Sequence, residues 1–198
     1  MLMTSAEPAL FQAAVAAMNA AKVRPEIELG PIRPPQRLAP FSYALGAEVR
    51  HPDAAIVPER SEGLEGEAFG RLILLHDPDG AEAWDGTMRL VAYIQADLDS
   101  TEAVDPLLPE VAWSWLVDAL DARAGQATAL GGTVTATTSV RYGDISGPPR
   151  AHQLELRASW TATTPDLGVH VQAFCEVLEH AAGLPPIGVT DLGSRSRA

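Results

Sequence analysis

The chain has 198 residues, 46% of them hydrophobic, which is enough for one domain with a sizeable core. Its 26 acidic and 14 basic residues leave a formal net charge of −12, so its average field repels phosphate backbones and anionic bilayers, and general nucleic-acid or membrane binding is disfavoured. Cys175 is the sole cysteine, which excludes an intrachain disulfide framework or thiolate cluster and fits a reducing compartment. The opening Met1-Leu2-Met3-Thr4-Ser5 has no basic n-region or long apolar run, and no stretch reaches transmembrane length free of charge, so a cytoplasmic protein is expected.

Thr4 and Glu7 have the spacing of a capping box, and Phe11, Ala14, Val15 and Met18 recur at helical intervals, which predicts a first helix down to about Lys22. Pro8 is compatible with it, because first-turn amides have no intrahelical acceptor. From Arg24 to Pro40 five prolines impose an extended connector, with a short strand expected at Glu26–Leu29. Phe41, Tyr43, Leu45, Ala47 and Val49 then alternate with smaller or polar residues, the period of a half-buried strand. His51 to Glu67 combine Pro, Gly and acidic residues and read as a surface loop.

Phe69–Leu75 and Met88–Asp97 read as two strands joined by a long tip from His76 to Gly86. Pro109 opens a helix to about Arg123, apolar except for a narrow stripe of Glu110, Ser114, Asp118 and Asp121. Gly125, Gly131 and Gly132 punctuate its exit. Thr133–Val140 and Ala151–Thr161 follow as a second hairpin, with a turn over Gly143–Arg150 between them. Asp166 or Thr164 is placed to cap a last helix whose buried stripe is Val171, Phe174, Cys175, Leu178, Ala181 and Ala182, stopped by Gly183 and Pro185. Residues 187–198 read as a disordered tail, leaving a single domain over 1–186.

Turns too short for crossover helices require antiparallel pairing. The expected fold is therefore α+β, a largely antiparallel sheet of five to six strands with three helices in the order α-β-β-β-α-β-β-α.

Reactive side chains are densest in the first hairpin tip, where His76, Asp77, Asp79, Glu82 and Asp85 surround Trp84. Oxygen donors of this kind can hold a hard cation, and His76 can exchange a proton near neutral pH. The spacing does not match a twelve-residue calcium loop, and Asp77-Pro78-Asp79-Gly80 is ordinary turn chemistry, so the structural reading is preferred. His170 and His180 share a side of the last helix about 15 Å apart, too far for one zinc ion. They are read as surface or edge histidines. Cys175 lies on an apolar stripe and is assigned to packing. Arg24, Arg33 and Arg37 could meet an anion, but pairing with the chain's own carboxylates explains them. No dinucleotide fingerprint, P-loop or nucleophile elbow is present, and no cofactor or metal site is assigned.

Two features point to association. Trp113 and Trp115 lie about 200° apart around the middle helix, so one surface of one sheet cannot readily bury both. Trp113, with Val117 one turn on, is the candidate partner-binding side; cover by other helices or long loops of the same chain is the stronger reading, because a narrow polar stripe also suits a helix buried inside its own domain. The second is a polar sheet face carrying Arg89, Tyr93, Gln95, Thr133, Thr135, Thr137, Arg141, Gln153, Glu155 and Arg157, for which an ordinary solvated face is the stronger reading.

Arg24-Pro25-Glu26, Pro35-Gln36-Arg37-Leu38-Ala39-Pro40, Leu74-Leu75-His76-Asp77-Pro78, Asp105-Pro106-Leu107-Leu108, Trp113-Ser114-Trp115-Leu116 and Arg157-Ala158-Ser159-Trp160-Thr161 give the chain a family likeness. It resembles an actinobacterial domain-of-unknown-function family (DUF3000-like). That resemblance implies no activity and no assigned residues. The element order is also similar to the secretion-chaperone fold, whose members dimerise around the middle helix and bind extended client segments; this is likeness of topology, and function does not follow from fold. The leading expectation is a non-catalytic binding or regulatory protein acting as a homodimer, with a protein client. The alternative is an enzyme or a small-ligand or metal binder using the His76–Asp85 tip, with His76 as acid or base and Asp77, Asp79 and Asp85 as ligands or partners.

Overall fold

A computed structural model describes residues 7–49, 68–98, 100–124, 127–144 and 150–187. The Thr4 capping position, the whole loop expected over 51–67, most of the turn expected over Gly143–Arg150 and the tail from 188 lie outside the described residues. Within them the order is α1 (Ala9–Asn19), β1 (Ile27–Ile32), β2 (Phe41–Val49), β3 (Ala68–Ala81), β4 (Gly86–Leu98), α2 (Leu108–Arg123), β5 (Ala127–Val140), β6 (Arg150–Ala162) and α3 (Gly168–Ala181). The fold is α+β, as expected from the alternation of periods 2 and 3.6.

All strand pairs are antiparallel, and the sheet runs β1-β2-β3-β4-β6-β5. Its registers separate the two faces. Leu45, Leu72, Ala92 and Ala158 stand in one row across four strands, and Tyr43, Leu74, Leu90 and Trp160 in the next. This face carries the helices: α3 lies over β2, β3 and β4, while α2 packs between α3 and β5. A Cβ on Gly70 would lie 2.6 Å from the Phe174 ring, so the missing side chain sets how closely α3 approaches β3. Leu72, Leu74, Leu90, Trp160, Phe174 and Leu178 are all fully buried in this layer. At roughly 25 cal/mol per Å² of apolar surface, this layer is the main stabilising term.

The opposite face is largely polar over β4, β6 and β5 but has an apolar patch where β3 meets β4. There Ile73 pairs with Val91, and Leu75 is only 6% exposed.

Several boundaries differ from those expected. α1 ends at Asn19 rather than near Lys22, with its last amides bonded to Ala16 and Met18 carbonyls around Ala20. α3 begins at Gly168 with Leu167 at its cap and no side-chain cap, because Leu167 is itself fully buried and anchors the entry by packing. Gly183, at φ +65°, bonds back to the His180 carbonyl and ends α3 as the glycine signal predicts. β3 runs to Ala81, so the connection to β4 is a short 3-10 turn at Glu82–Trp84 with Asp85 left-handed at φ 54°, not an eleven-residue tip. A register irregularity between His76 and Ala81 absorbs the change in strand direction. β5 starts at Ala127, six residues earlier than expected. Gly131 and Gly132, read as punctuation, stand inside the strand beside a bulge where Ala129 adopts φ 49°.

Candidate functional site

The hairpin group does not converge. His76 lies on the helix-side face of β3, only 2% exposed, where its ring stacks on Phe11 at 5.9 Å and meets Phe41 at 6.0 Å. Its Nδ1 is 2.9 Å from the Thr87 carbonyl oxygen, which a ring N–H at that position satisfies. The extension of β3 carries the aspartates away. Asp77 accepts the Asp79 amide through Oδ1 at 3.1 Å, an Asx turn, while Asp79 and Asp85 are exposed. Among the described residues no group of three or more His, Cys, Asp or Glu side chains is placed to share a metal ion.

The tryptophans of α2 diverge as their 200° separation requires. Ala112, Leu116, Ala119 and Leu120 form the buried side of the helix. Trp115 turns toward α3 and stacks on His180, ring centroids 5.5 Å apart at 25°. Trp113 turns toward β5: a Cβ on Gly132 would stand 2.9 Å from its ring, so the glycine makes room for the indole. Both tryptophans stay half-buried, as does Val117 one turn beyond Trp113. Beyond Trp113 the sheet ends in β5. Every residue from Gly131 to Val140 is exposed except half-buried Val134, and among the described residues β5 pairs with β6 alone.

The polar face is internally bonded. Arg89 donates from Nη1 to the Ala129 carbonyl at 2.8 Å and to Thr161 Oγ1 at 3.1 Å, and from Nη2 to Ser159 Oγ at 2.7 Å, while the Thr161 hydroxyl donates to the Trp84 carbonyl. Arg89 thus satisfies the bulge carbonyl that leaves the ladder, and burial lowers its pKa. Two rows on, Arg157 lies over the Tyr93 ring at 5.4 Å and pairs with Glu155 at 2.8 Å, and the Tyr93 hydroxyl reaches Glu155 at 2.9 Å. The Arg157 hydrogen bond holds the Glu155 carboxyl below its ordinary range, and burial raises the Tyr93 phenol.

Two further polar groups are buried, and the first of them escapes the sequence reading. His170, expected at the surface, is 1% exposed and accepts the Trp160 indole N–H through Nδ1 at 3.1 Å. Burial depresses its pKa to about 4, with Asp166 opposing only in part. The signal was available, since His170 stands four residues before Phe174 on the same helical stripe. Arg24 forms a fork on Glu26, at 3.0 and 2.9 Å, and also reaches Glu179 at 3.3 Å and the Pro185 carbonyl at 3.1 Å. It therefore ties the connector before β1 to the end of α3, and it holds the Glu26 carboxyl down to about 2. Pairing with the chain's own acids, as expected, accounts for Arg24. Cys175 lies in the core, where burial pushes its thiol up to about 12, so thiolate chemistry is closed to it.

No helix among the described residues is long and apolar enough to cross a membrane. Comparison with protein families matches residues 7–190 to a family described as "Protein of unknown function (DUF3000)". No curated protein and no solved structure matches the chain.

Proposed function

Because the chain belongs to the DUF3000 family, whose description carries no activity, we propose from its own surface that it is a non-catalytic binding or regulatory protein acting as a homodimer in a reducing cytoplasm. The observation that carries this reading is the Trp113 side of α2. A tryptophan and a valine one turn apart are left half-buried at the end of the sheet, next to a strand whose stretch from Gly131 to Val140 is exposed but for Val134. Large aromatic side chains concentrate binding energy when a partner completes their burial. The reactive side chains support the same reading by their placement: His76, His170 and Cys175 are packed into the core, and the aspartates of the hairpin are spread along a turn.

Sedimentation and light scattering of the full chain test the proposal. Val117→Glu is the cleaner variant, because Trp113 also packs on Gly132 within its own chain. A dimeric wild type and a dimer at least ten-fold weaker in Val117→Glu are expected. A wild type monomeric at high concentration, or a Val117→Glu dimer of unchanged affinity, would overturn the assignment of that surface. Affinity purification from the native host with mass spectrometry then identifies the client.

A further inference from the structure

We infer that two copies of this chain meet along the open edge of β5, pairing β5 with β5 antiparallel so that two six-stranded sheets become one. This rests on the homodimer reading above and adds the mode of association.

The edge strands of this sheet differ. β1 carries Glu28, Gly30 and Pro31 within six residues, and a proline or charge on an edge prevents another strand from adding there. β5 has fourteen residues, Ala-Thr-Ala-Leu-Gly-Gly-Thr-Val-Thr-Ala-Thr-Thr-Ser-Val, with no charge and no proline. Four threonines and two valines favour extended backbone in its exposed run. A long exposed edge without these protections is a template for pairing.

The occupant follows from symmetry and from α2. An antiparallel edge is complementary to itself about a two-fold axis normal to the sheet, an isologous contact that closes at two copies. That axis keeps every helix on the same face, so the two α2 helices flank the seam and bring Trp113 and Val117 of each copy toward those of the other. An added extended peptide would satisfy the edge and leave this apolar shoulder bare. The uncharged strand is also where two copies, each of net charge −12, can approach with least repulsion.

The bulge sets the register. Between Thr128 and Gly131 the β5 ladder is irregular and Ala129 is left-handed, so the regular stretch runs from Gly131 to Val140 and is centred on Thr135 and Ala136. The axis therefore passes at one of these two residues, which alone lies opposite its own copy, while Thr133 and Ser139 face other positions of the second strand.

Single cysteines at Thr133, Thr135, Ala136 and Ser139, oxidised under mild conditions, read the seam directly, with buried Cys175 unchanged in all of them. Covalent dimer is expected from Thr135→Cys or Ala136→Cys and not from Thr133→Cys or Ser139→Cys. Thr135→Lys and Thr135→Glu, each verified as folded by circular dichroism, are expected to weaken the dimer at least ten-fold separately. Mixing them is expected to restore a heterodimer. A wild-type dimer that survives both charged variants with unchanged affinity and gives no cross-link at 135 or 136 overturns the β5 seam while leaving the homodimer reading intact. A wild type monomeric at every accessible concentration overturns both.

Discussion

His170 is a histidine kept neutral by its surroundings. The Trp160 indole N–H needs an acceptor inside the core, and an unprotonated Nδ1 provides it at 3.1 Å, whereas an imidazolium would present a donor to a donor. Its pKa is about 4 in the folded chain against an ordinary 6.5. Between those values the unfolded chain binds more protons, so this residue's contribution to stability is complete above pH 6.5 and is lost as pH falls toward 4. Two and a half pKa units correspond to roughly 3 kcal/mol over the full interval. His170→Gln keeps an acceptor for Trp160 without a titrating group. We expect the variant to be less stable than wild type at pH 7.5, and the gap to narrow as the pH is lowered to 4. Denaturant midpoints across that range check this, and parallel curves for the two proteins would refute it.

Between α2 and β5, contact is set by the absence of an atom. Gly132 sits inside a strand, where glycine weakens pairing, yet a Cβ there would collide with the Arg157 carbonyl oxygen and lie 2.9 Å from both the Ala158 Cα and the Trp113 ring. Two of these obstacles belong to backbone, which cannot swing away as a side-chain tip can. Gly132→Ala should therefore destabilise by about 1–3 kcal/mol, the range for overpacking. By contrast, Gly131→Ala meets nothing within 4 Å and should be near neutral. Thermal unfolding of the pair separates steric need from the general cost of a strand glycine. The same position shows where the sequence stopped being legible. Strands with strict alternation, such as β2 and β6, and helices with an apolar stripe, such as α3, were evident from periodicity. The start of β5 was not, because two adjacent glycines signal a turn locally. Only pairing with Ser159 and Ala158 of β6, distant in sequence, makes them strand residues. His76 was assigned to a tip for a similar reason: Asp-Pro-Asp-Gly announces a turn but does not fix how far β3 continues beside β4. That extension sets His76 against Phe11 of α1 while Asp79, Glu82 and Asp85 are exposed, so their separation follows from how far β3 runs, which the residues of the turn do not reveal.

For the molecule as a whole, the order of elements and the antiparallel pairing follow from short connections, whereas the strand order does not. Placing β6 against β4 and leaving β5 at the margin is a long-range choice that brings the α2–β5 hairpin of layers to the end of the sheet and exposes the uncharged strand there. Sequence patterning singled out Trp113 as a residue with nowhere obvious to go; only the strand order shows that it lies beside an open edge. Charge then governs how such an edge behaves. Two copies of net charge −12 repel at distances comparable with the Debye length, about 10 Å at 0.1 M salt and 3 Å at 1 M. Within the proposed seam, the β5 strands contribute no charge that salt could weaken, while α2 beside it carries the acidic Glu110 and Asp121. Association should accordingly tighten as sodium chloride rises from about 20 mM to 0.5 M, the reverse of an interface built on ion pairs. Sedimentation equilibrium over that range gives the dissociation constant directly. A steady weakening with salt would mean that opposite charges meet across the contact, and would place it on the Arg- and Glu-bearing face of β6 rather than at the edge of β5.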